Sequence, residues 1–230
     1  MKIAVLGTGK VGQALAGRLS GLGYDVVIGT RDVEQTLART GPDSVGYEPY
    51  ATWQKANPAV RLVALPEAGE HGEVVLNATN GQNALNTLEA VGAENLAGKV
   101  VLDLALPLDL SQGMPPTLTV ANTDSLGEQI QRAFPDARVV KSLNTVFWQV
   151  MIDPSRVPGE HTIFVAGNDS EAKKTVRGLL GGFGWSEGSI LDLGDITGAR
   201  GAEMYSRLYF TLVGALGTFE LNIQVIRGTH

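Results

Sequence analysis

Lys2-Ile3-Ala4-Val5-Leu6-Gly7-Thr8-Gly9-Lys10-Val11-Gly12 is the stretch that decides how this chain reads. An apolar run, Ile3 to Leu6, ends directly on a Gly-x-Gly-x-x-Gly pattern. Behind it, Val11, Ala14, Leu15, Leu19 and Leu22 recur at three- and four-residue steps, the period of one helix face. Strand, glycine turn and helix therefore follow one another without interruption, and that context gives the glycines their meaning. Gly7 would permit a tight turn, Gly9 would let a pyrophosphate approach the backbone, and Gly12 would let helix and strand pack closely. Phosphates placed there meet free N–H groups and the positive end of the helix dipole. The stretch predicts a Rossmann-type α/β fold, a doubly wound and mainly parallel sheet that binds a dinucleotide.

Outward from it, Tyr24 to Ile28 reads as a second buried strand. A fold of this kind that prefers NAD carries an acidic residue at the end of that strand for the ribose hydroxyls. Here the sequence reads Gly29-Thr30-Arg31. A hydroxyl followed by a guanidinium suits a 2′-phosphate, because Arg offers a planar fork of donors that stays charged. Asp32 comes too late for the ribose and is expected to cap a helix beginning at Val33. NADP(H) is the expected cofactor.

Residues Thr40 to Asn57 look irregular, with Trp53 packed beneath them. Further strands are expected at Val60–Leu65, Glu73–Ala78, Lys99–Ala105, Arg138–Ser142, Thr162–Val165 and Ser189–Leu193, several of them continuous apolar runs, as in buried parallel strands. Ligands lie off the carboxyl ends of such strands. That places Thr79 and Asn80 beside the cofactor's central ribose or pyrophosphate, or at the cap of a helix from Gln82 to Val91. The Pro- and Gly-containing segment Asp109 to Thr119 is a candidate substrate-facing flap. Helices are expected at Asp124–Phe134 and from Ser170 until Gly181 to Gly184 breaks it.

Ala199 to Arg227 reads as one long helix with a stripe of Met204, Leu208, Leu212, Ala215, Phe219 and Ile223, widened by Tyr205, Tyr209, Val213 and Leu216. The apolar surface is broader than a surface helix needs. It packs either on the substrate side of the sheet or on a second subunit, and Gly214 and Gly217 would mark a close contact. Arg200, Glu203, Arg207 and Glu220 exclude a membrane span. The expected organisation is a cofactor-binding unit of residues 1–195 with a C-terminal helical appendage, 196–230, that serves packing or dimerisation.

The bulk numbers agree with a globular chain: 230 residues, 43% hydrophobic, 18% charged. A net charge of −6 without a basic cluster argues against nucleic acid or an anionic membrane as partner. The absence of cysteine excludes disulfides and thiolate chemistry. No signal peptide precedes the first strand, so a cytoplasmic location is expected.

Taken together, Gly7 to Gly12, Ile28-Gly29-Thr30-Arg31, Val140-Lys141-Ser142-Leu143-Asn144-Thr145 and Phe219-Glu220-Leu221-Asn222-Ile223 resemble the coenzyme F420-dependent NADP oxidoreductases, over nearly the whole chain. The same fold serves as the reductase domain of the membrane ferric reductases called STEAP proteins. The resemblance implies hydride exchange between NADP(H) and a deazaflavin. It implies that Thr8, Thr30 and Arg31 hold the 2′-phosphate, that Gly9, Lys10, Val11 and Gly12 form the pyrophosphate turn, and that Ala78, Leu106 and Asn144 line the ribose and nicotinamide. Two positions depart from the archaeal enzymes: Gln35 replaces a further basic residue, and Asn144 stands where a histidine lies near the nicotinamide.

Lys141 and Asn144 also spell the Lys-x-x-Asn of β-hydroxyacid dehydrogenases, where a helix puts both on one face. On a strand running through Lys141, the two would point to opposite faces. His71, His161 and His230 sit in a turn, a polar loop and the terminus. Asp103, between Leu102 and Leu104 in a buried strand, needs a structural partner. No catalytic acid–base residue and no metal site is expected. Hydride transfer between stacked rings needs neither, since the cofactor carries the chemistry; a non-catalytic NADP(H)-sensing module is the alternative that shares this feature.

Overall fold

The computed structural model describes residues 1–42 and 46–228; Asp43 to Val45 within the expected irregular segment, and Thr229 and His230, lie outside the described residues. The first unit is as the glycine pattern requires: strand β1 (Lys2–Leu6), the loop, then helix α1 (Lys10–Gly21). Strand β2 (Asp25–Thr30) leads to α2 (Val33–Ala38), whose start is capped as expected: the Asp32 carboxylate accepts the Gln35 N–H at 2.8 Å. Residues 50–56 are not irregular but form helix α3 (Tyr50–Ala56), packing Tyr50 and Trp53 side by side, 5.5 Å between ring centres, against the core. The Gly- and Pro-rich flanks conceal this short element.

Then come β3 (Arg61–Ala64), α4 (Leu65–His71), β4 (Val74–Asn77), α5 (Ala84–Val91), α6 (Ala93–Leu96) and β5 (Val100–Asp103). A small antiparallel hairpin, β6 (Leu108–Asp109) and β7 (Thr117–Leu118), occupies the segment expected to be a flap. Helix α7 (Leu126–Ala133), strand β8 (Arg138–Ser142), helix α8 (Trp148–Ile152), strand β9 (Ile163–Gly167), helix α9 (Ser170–Phe183), strand β10 (Ile190–Asp192) and helix α10 (Ala199–Leu216) complete the order. Gly181 and Gly182 remain inside α9, which ends instead at Gly184, φ +109°.

The strands form one eight-stranded sheet in the order β10-β9-β8-β5-β4-β1-β2-β3. All neighbours are parallel except β8 and β9. The period-two alternation of strand side chains divides the core. Ile3 and Val5 face α1, α8 and α9, whereas Ala4 and Leu6 face α4, α5 and α7. The chain winds outward from β1 in both directions, to β2 and β3 on one side and to β4 and β5 on the other. The crevice at the carboxyl ends of β1 and β4 is thus the topological switch point, where open α/β sheets bind ligands.

The C-terminal expectation needs correcting. Helix α10 stops at Leu216, because Gly217 adopts the left-handed conformation, φ +69°, that ends helices. Phe219 and Ile223 keep the helical spacing in sequence only. The buried face of α10 is Ala199, Ala202, Glu203, Ser206, Tyr209 and Val213, while Leu208, placed in the expected stripe, is 52% exposed. Beyond the helix the chain runs extended beside the entry to β9: the Thr162 N–H donates to the Ile223 carbonyl at 2.8 Å, and Asn222 Nδ2 to the Thr162 carbonyl at 2.9 Å. A Cβ added at Gly214 or at Gly217 would meet no atom of the described residues within 4 Å, so within the chain these glycines mark no close contact.

Candidate active site: two clefts joined at the end of β4

The glycine loop is built as its spacing requires. Gly7 sits at φ +115°, and a Cβ there would fall 2.8 Å from the Ala78 carbonyl oxygen. A Cβ on Gly12 would overlap the Gly7 carbonyl, so helix and turn pack at a distance only glycine allows. Gly9, by contrast, faces open space. It is also the residue before α1, where no side chain caps the first turn. Gln13 braces the loop from behind, its Nε2 donating to the Thr8 carbonyl at 2.8 Å.

In front of the loop lies a polar cleft of about 240 Å³. Gly7, Thr8, Gly9, Thr30, Arg31, Ala78, Thr79 and Asn80 line it, so the structure gathers most of the expected site residues in one place. Lys10 departs from this: its side chain lies over the Tyr47 ring, 5.0 Å from the centre, and lines a neighbouring cavity. Thr36, Arg39, Asn83 and Thr87 line the polar cleft too and were not legible as site residues. Thr36 carries the only local signal, a hydroxyl one helical turn after Asp32. Its Oγ1 donates to the Asp32 carbonyl at 2.7 Å and lies 2.9 Å from Thr30 Oγ1, which ties α2 to the end of β2. Thr79 is fixed by Asn77, its hydroxyl donating to Oδ1 at 2.6 Å, and Asn80 caps the turn after it by accepting the Gln82 N–H at 3.0 Å. Asn80 therefore serves cap and cleft together.

Ala78, Thr79 and Asn80 also line a second, larger cleft of about 620 Å³. Val11, Leu106 and Asn144 of the expected set are found here, beside Leu108 to Ser111 of the hairpin segment. Its far wall is aromatic: Phe147, Trp148, Tyr209, Phe210 and Phe219, with Phe147 and Phe219 stacked at 4.9 Å. Among the described residues, neither lysine, arginine nor histidine lines it, and Asp109 is its one charged residue. Hydrogen bonds from the Ser111 backbone and hydroxyl hold that carboxyl below its usual range. Sequence reasoning missed this wall because its members come from α8, α10 and the tail, far apart in the chain. The buried Trp148 indole N–H finds no partner among the described residues.

Beneath the second cleft lies a fully buried charge cluster. Lys141 Nζ sits 2.8 Å from Asp103 Oδ2 and 2.8 Å from Glu203 Oε1, and also donates to the Ala105 carbonyl. Asp103 Oδ1 accepts from Asn77 Nδ2 at 2.8 Å and from the Ala105 N–H at 3.2 Å. Glu203 accepts the Leu126 and Gly127 N–H groups at 2.9 and 3.0 Å, placing its charge at the start of α7. Burial alone would push the Lys141 ammonium down, but the two carboxylates beside it more than reverse that, so the group is held charged. The structural partner expected for Asp103 is thus Asn77 with Lys141.

The expectation that Lys141 and Asn144 point to opposite faces of a strand does not hold. Leu143 takes φ +65°, so the strand alternation ends before Asn144. Both side chains reach the start of α10, Lys141 at Glu203 and Asn144 through Nδ2 to the Ala202 carbonyl at 2.9 Å. Lys141 itself is fully buried among three acceptors. His161 is also not a polar-loop residue: it is 7% exposed, edge-on to Trp185, and bonded to the Pro154 carbonyl and Asn222. No group of His, Asp or Glu side chains among the described residues could hold a metal ion.

Residues 2–107, which carry the glycine loop and the end of β4, match the family described as NADP oxidoreductase, coenzyme F420-dependent. The chain is 31% identical over 157 residues to the F420-dependent NADP reductase of Methanothermobacter marburgensis, covering 66% of this chain and 67% of that one. It is 28% identical over 203 residues to the metalloreductase STEAP3 of Rattus norvegicus, which covers 88% of this chain but only 36% of the longer protein. The crystal structure of a candidate F420-dependent NADP reductase from Arthrobacter sp. fb24 superposes with a TM-score of 0.94 at 52% identity, over 99% of this chain and all of the other. On these grounds the chain belongs to the family of coenzyme F420-dependent NADP oxidoreductases.

Proposed function

We propose that this protein binds NADP(H) in the polar cleft and exchanges hydride between it and a planar acceptor, coenzyme F420 or a similar ring, in the aromatic cleft. The observation that supports this most is the junction: a cation-bearing polar cleft and a ring-lined cleft without cations share Ala78, Thr79 and Asn80 at the switch point. The residues fit the cofactor. Gly9 leaves room for a pyrophosphate and the first turn of α1 is uncapped. Thr30 and Arg31 take the place of a ribose-binding acid, and Asp32 is committed to its cap. Thr8, Thr30 and Arg31 would hold the 2′-phosphate; Ala78, Leu106 and Asn144 would flank the nicotinamide end.

When bound, NADPH would supply a hydride to the acceptor ring and leave as NADP⁺, the proton that completes the ring's reduction coming from solvent. The protein's own part is alignment and exclusion of water, so no side chain is assigned a proton. Leu104, Leu106 and the aromatic wall keep the second cleft apolar, and Asn144 is held still by the Ala202 carbonyl. Stopped-flow absorbance of NADPH mixed with F420, with FMN and with a simple quinone tests the reading. Oxidation by a planar acceptor is expected, and none with all three would overturn it.

The assembly we propose is a cytoplasmic homodimer formed through the C-terminal region, residues 196–230 being its packing element beside the cofactor-binding unit 1–195. Leu208, Leu216, Phe219, Val225 and Ile226 are exposed there, apolar side chains that a second copy would cover. No helix among the described residues is long and apolar enough to cross a membrane. Light scattering at micromolar concentration is expected to give twice the 24.3 kDa chain mass; the single-chain mass would refute the dimer.

A further inference from the structure

We infer that Arg39 is a second guanidinium for the adenosine 2′-phosphate and so a specificity-determining residue, a proposal that rests on the NADP(H) reading of the polar cleft. Arg39 directly follows α2 and lines both the polar cleft and the adjoining cavity that Lys10 faces, and Thr8, Gly9 and Thr36 line the same two spaces. It therefore borders both spaces, and Thr30 at the end of β2 and Arg31 after it line the polar cleft with it.

Its partners, or lack of them, separate it from most arginines of the molecule. Arg61, Arg132, Arg138, Arg156, Arg177 and Arg200 each pair with a carboxylate. Arg18 and Arg207 donate to backbone carbonyls. Among the described residues, neither Arg31 nor Arg39 forms an ion pair. Arg39 makes one long hydrogen bond, Nη2 to Gln35 Oε1 at 3.5 Å, back along α2 toward the cleft. Among the described residues, no carboxylate compensates it. Asp32 accepts the Gln35 N–H, and Glu48 shares the neighbouring cavity without an ion pair to Arg39. A cation at the end of α2 gains a little from the helix dipole, but that gain does not require the side chain to line a cleft.

The base of α2 is also fixed, since Thr36 is bonded both to Thr30 and to the Asp32 carbonyl. The two guanidiniums, one at the end of β2 and one after α2, are thus carried on elements held to each other. A dianionic phosphate between them would receive charge-assisted hydrogen bonds from both sides, the arrangement that Arg serves better than Lys.

Isothermal titration of the full chain decides it, with NADPH, NADH, adenosine 2′,5′-bisphosphate and 5′-AMP as probes. Arg39→Gln is expected to weaken NADPH and the bisphosphate roughly tenfold, the scale of one lost charge-assisted bond, and to leave NADH and 5′-AMP unchanged. Arg39→Lys should restore part of the loss. Unchanged NADPH affinity in Arg39→Gln, with Arg31→Ala still weakening it, overturns the proposal while leaving the NADP(H) reading intact. An equal loss for NADH overturns it as well, because it would make Arg39 a structural residue. Wild-type protein that binds NADPH and NADH alike would instead remove the reading beneath the proposal.

Discussion

Two places in this molecule gather polar side chains at the carboxyl ends of the central strands, and they are finished in opposite ways. Around Lys141 the polar groups are matched: three acceptors take the ammonium, Asn77 and the Ala105 N–H take Asp103, and the start of α7 takes Glu203. Around the glycine loop the first turn of α1 is uncapped, and Arg31 and Arg39 have no ion pair among the described residues. The difference follows from solvent. A charge out of water must be paired within the fold or it destabilises that fold, whereas a charge at the wall of a cleft stays hydrated until a ligand arrives. The paired cluster ties α10 to the sheet, and the unpaired cations line the cleft proposed as the site.

That contrast can be broken most forcefully at Lys141. Lys141→Met leaves Asp103 and Glu203 buried without their cation, and a loss of about 3–5 kcal/mol is expected in urea unfolding. A variant as stable as wild type would show that the cluster is not a structural lock. Next in size is the junction of the clefts. Ala78→Leu should slow turnover by about 10²-fold, since misplacement by about 1 Å costs that much, while steady-state assays of folded protein show the loss in kcat. Turnover near wild type would mean that Ala78 does not flank the reacting rings. Arg31→Ala should then cost about 1.5–3 kcal/mol in NADPH binding, read by titration. Because Arg31 is exposed and unpaired, its unfolding free energy should stay within about 0.5 kcal/mol of wild type. A stability loss larger than the binding loss would reverse its assignment to the site.

The smallest effect concerns the rim of the paired cluster. Hydrogen bonds from Arg200 hold the Glu128 carboxyl below its usual range, against the opposing push of burial. A carboxyl whose folded pKa is depressed contributes stability above its unfolded value, and that contribution fades as pH falls through the folded one. Wild type should therefore lose stability below about pH 4.3, the ordinary value for Glu, more steeply than Glu128→Gln. Parallel acid limbs for the two proteins would remove Glu128 from the account.

How far the sequence carried these conclusions depended on the range of the forces involved. The Gly7–Gly12 turn, the Asp32 cap and the buried strands were legible because each is set by neighbours a few residues away. Helix α3 was hidden by its Gly- and Pro-rich flanks. The length of α10 was overread, because Phe219 and Ile223 continue a helical spacing that the left-handed Gly217 interrupts. The Lys141 cluster could not be read at all. Its members lie on β5, β8 and α10, and only the fold brings Asp103 and Glu203 to one ammonium. The aromatic wall of the second cleft was missed for the same reason, and Arg39 because nothing local marks a cation that faces a cleft.

The central claim is that the polar cleft is made for NADP(H), its unpaired cations waiting for the 2′-phosphate. Titration of wild-type protein with NADPH and with NADH tests it most directly. The account predicts NADPH binding at least about tenfold tighter, the equivalent of about 1.4 kcal/mol. Equal affinity for the two would contradict it.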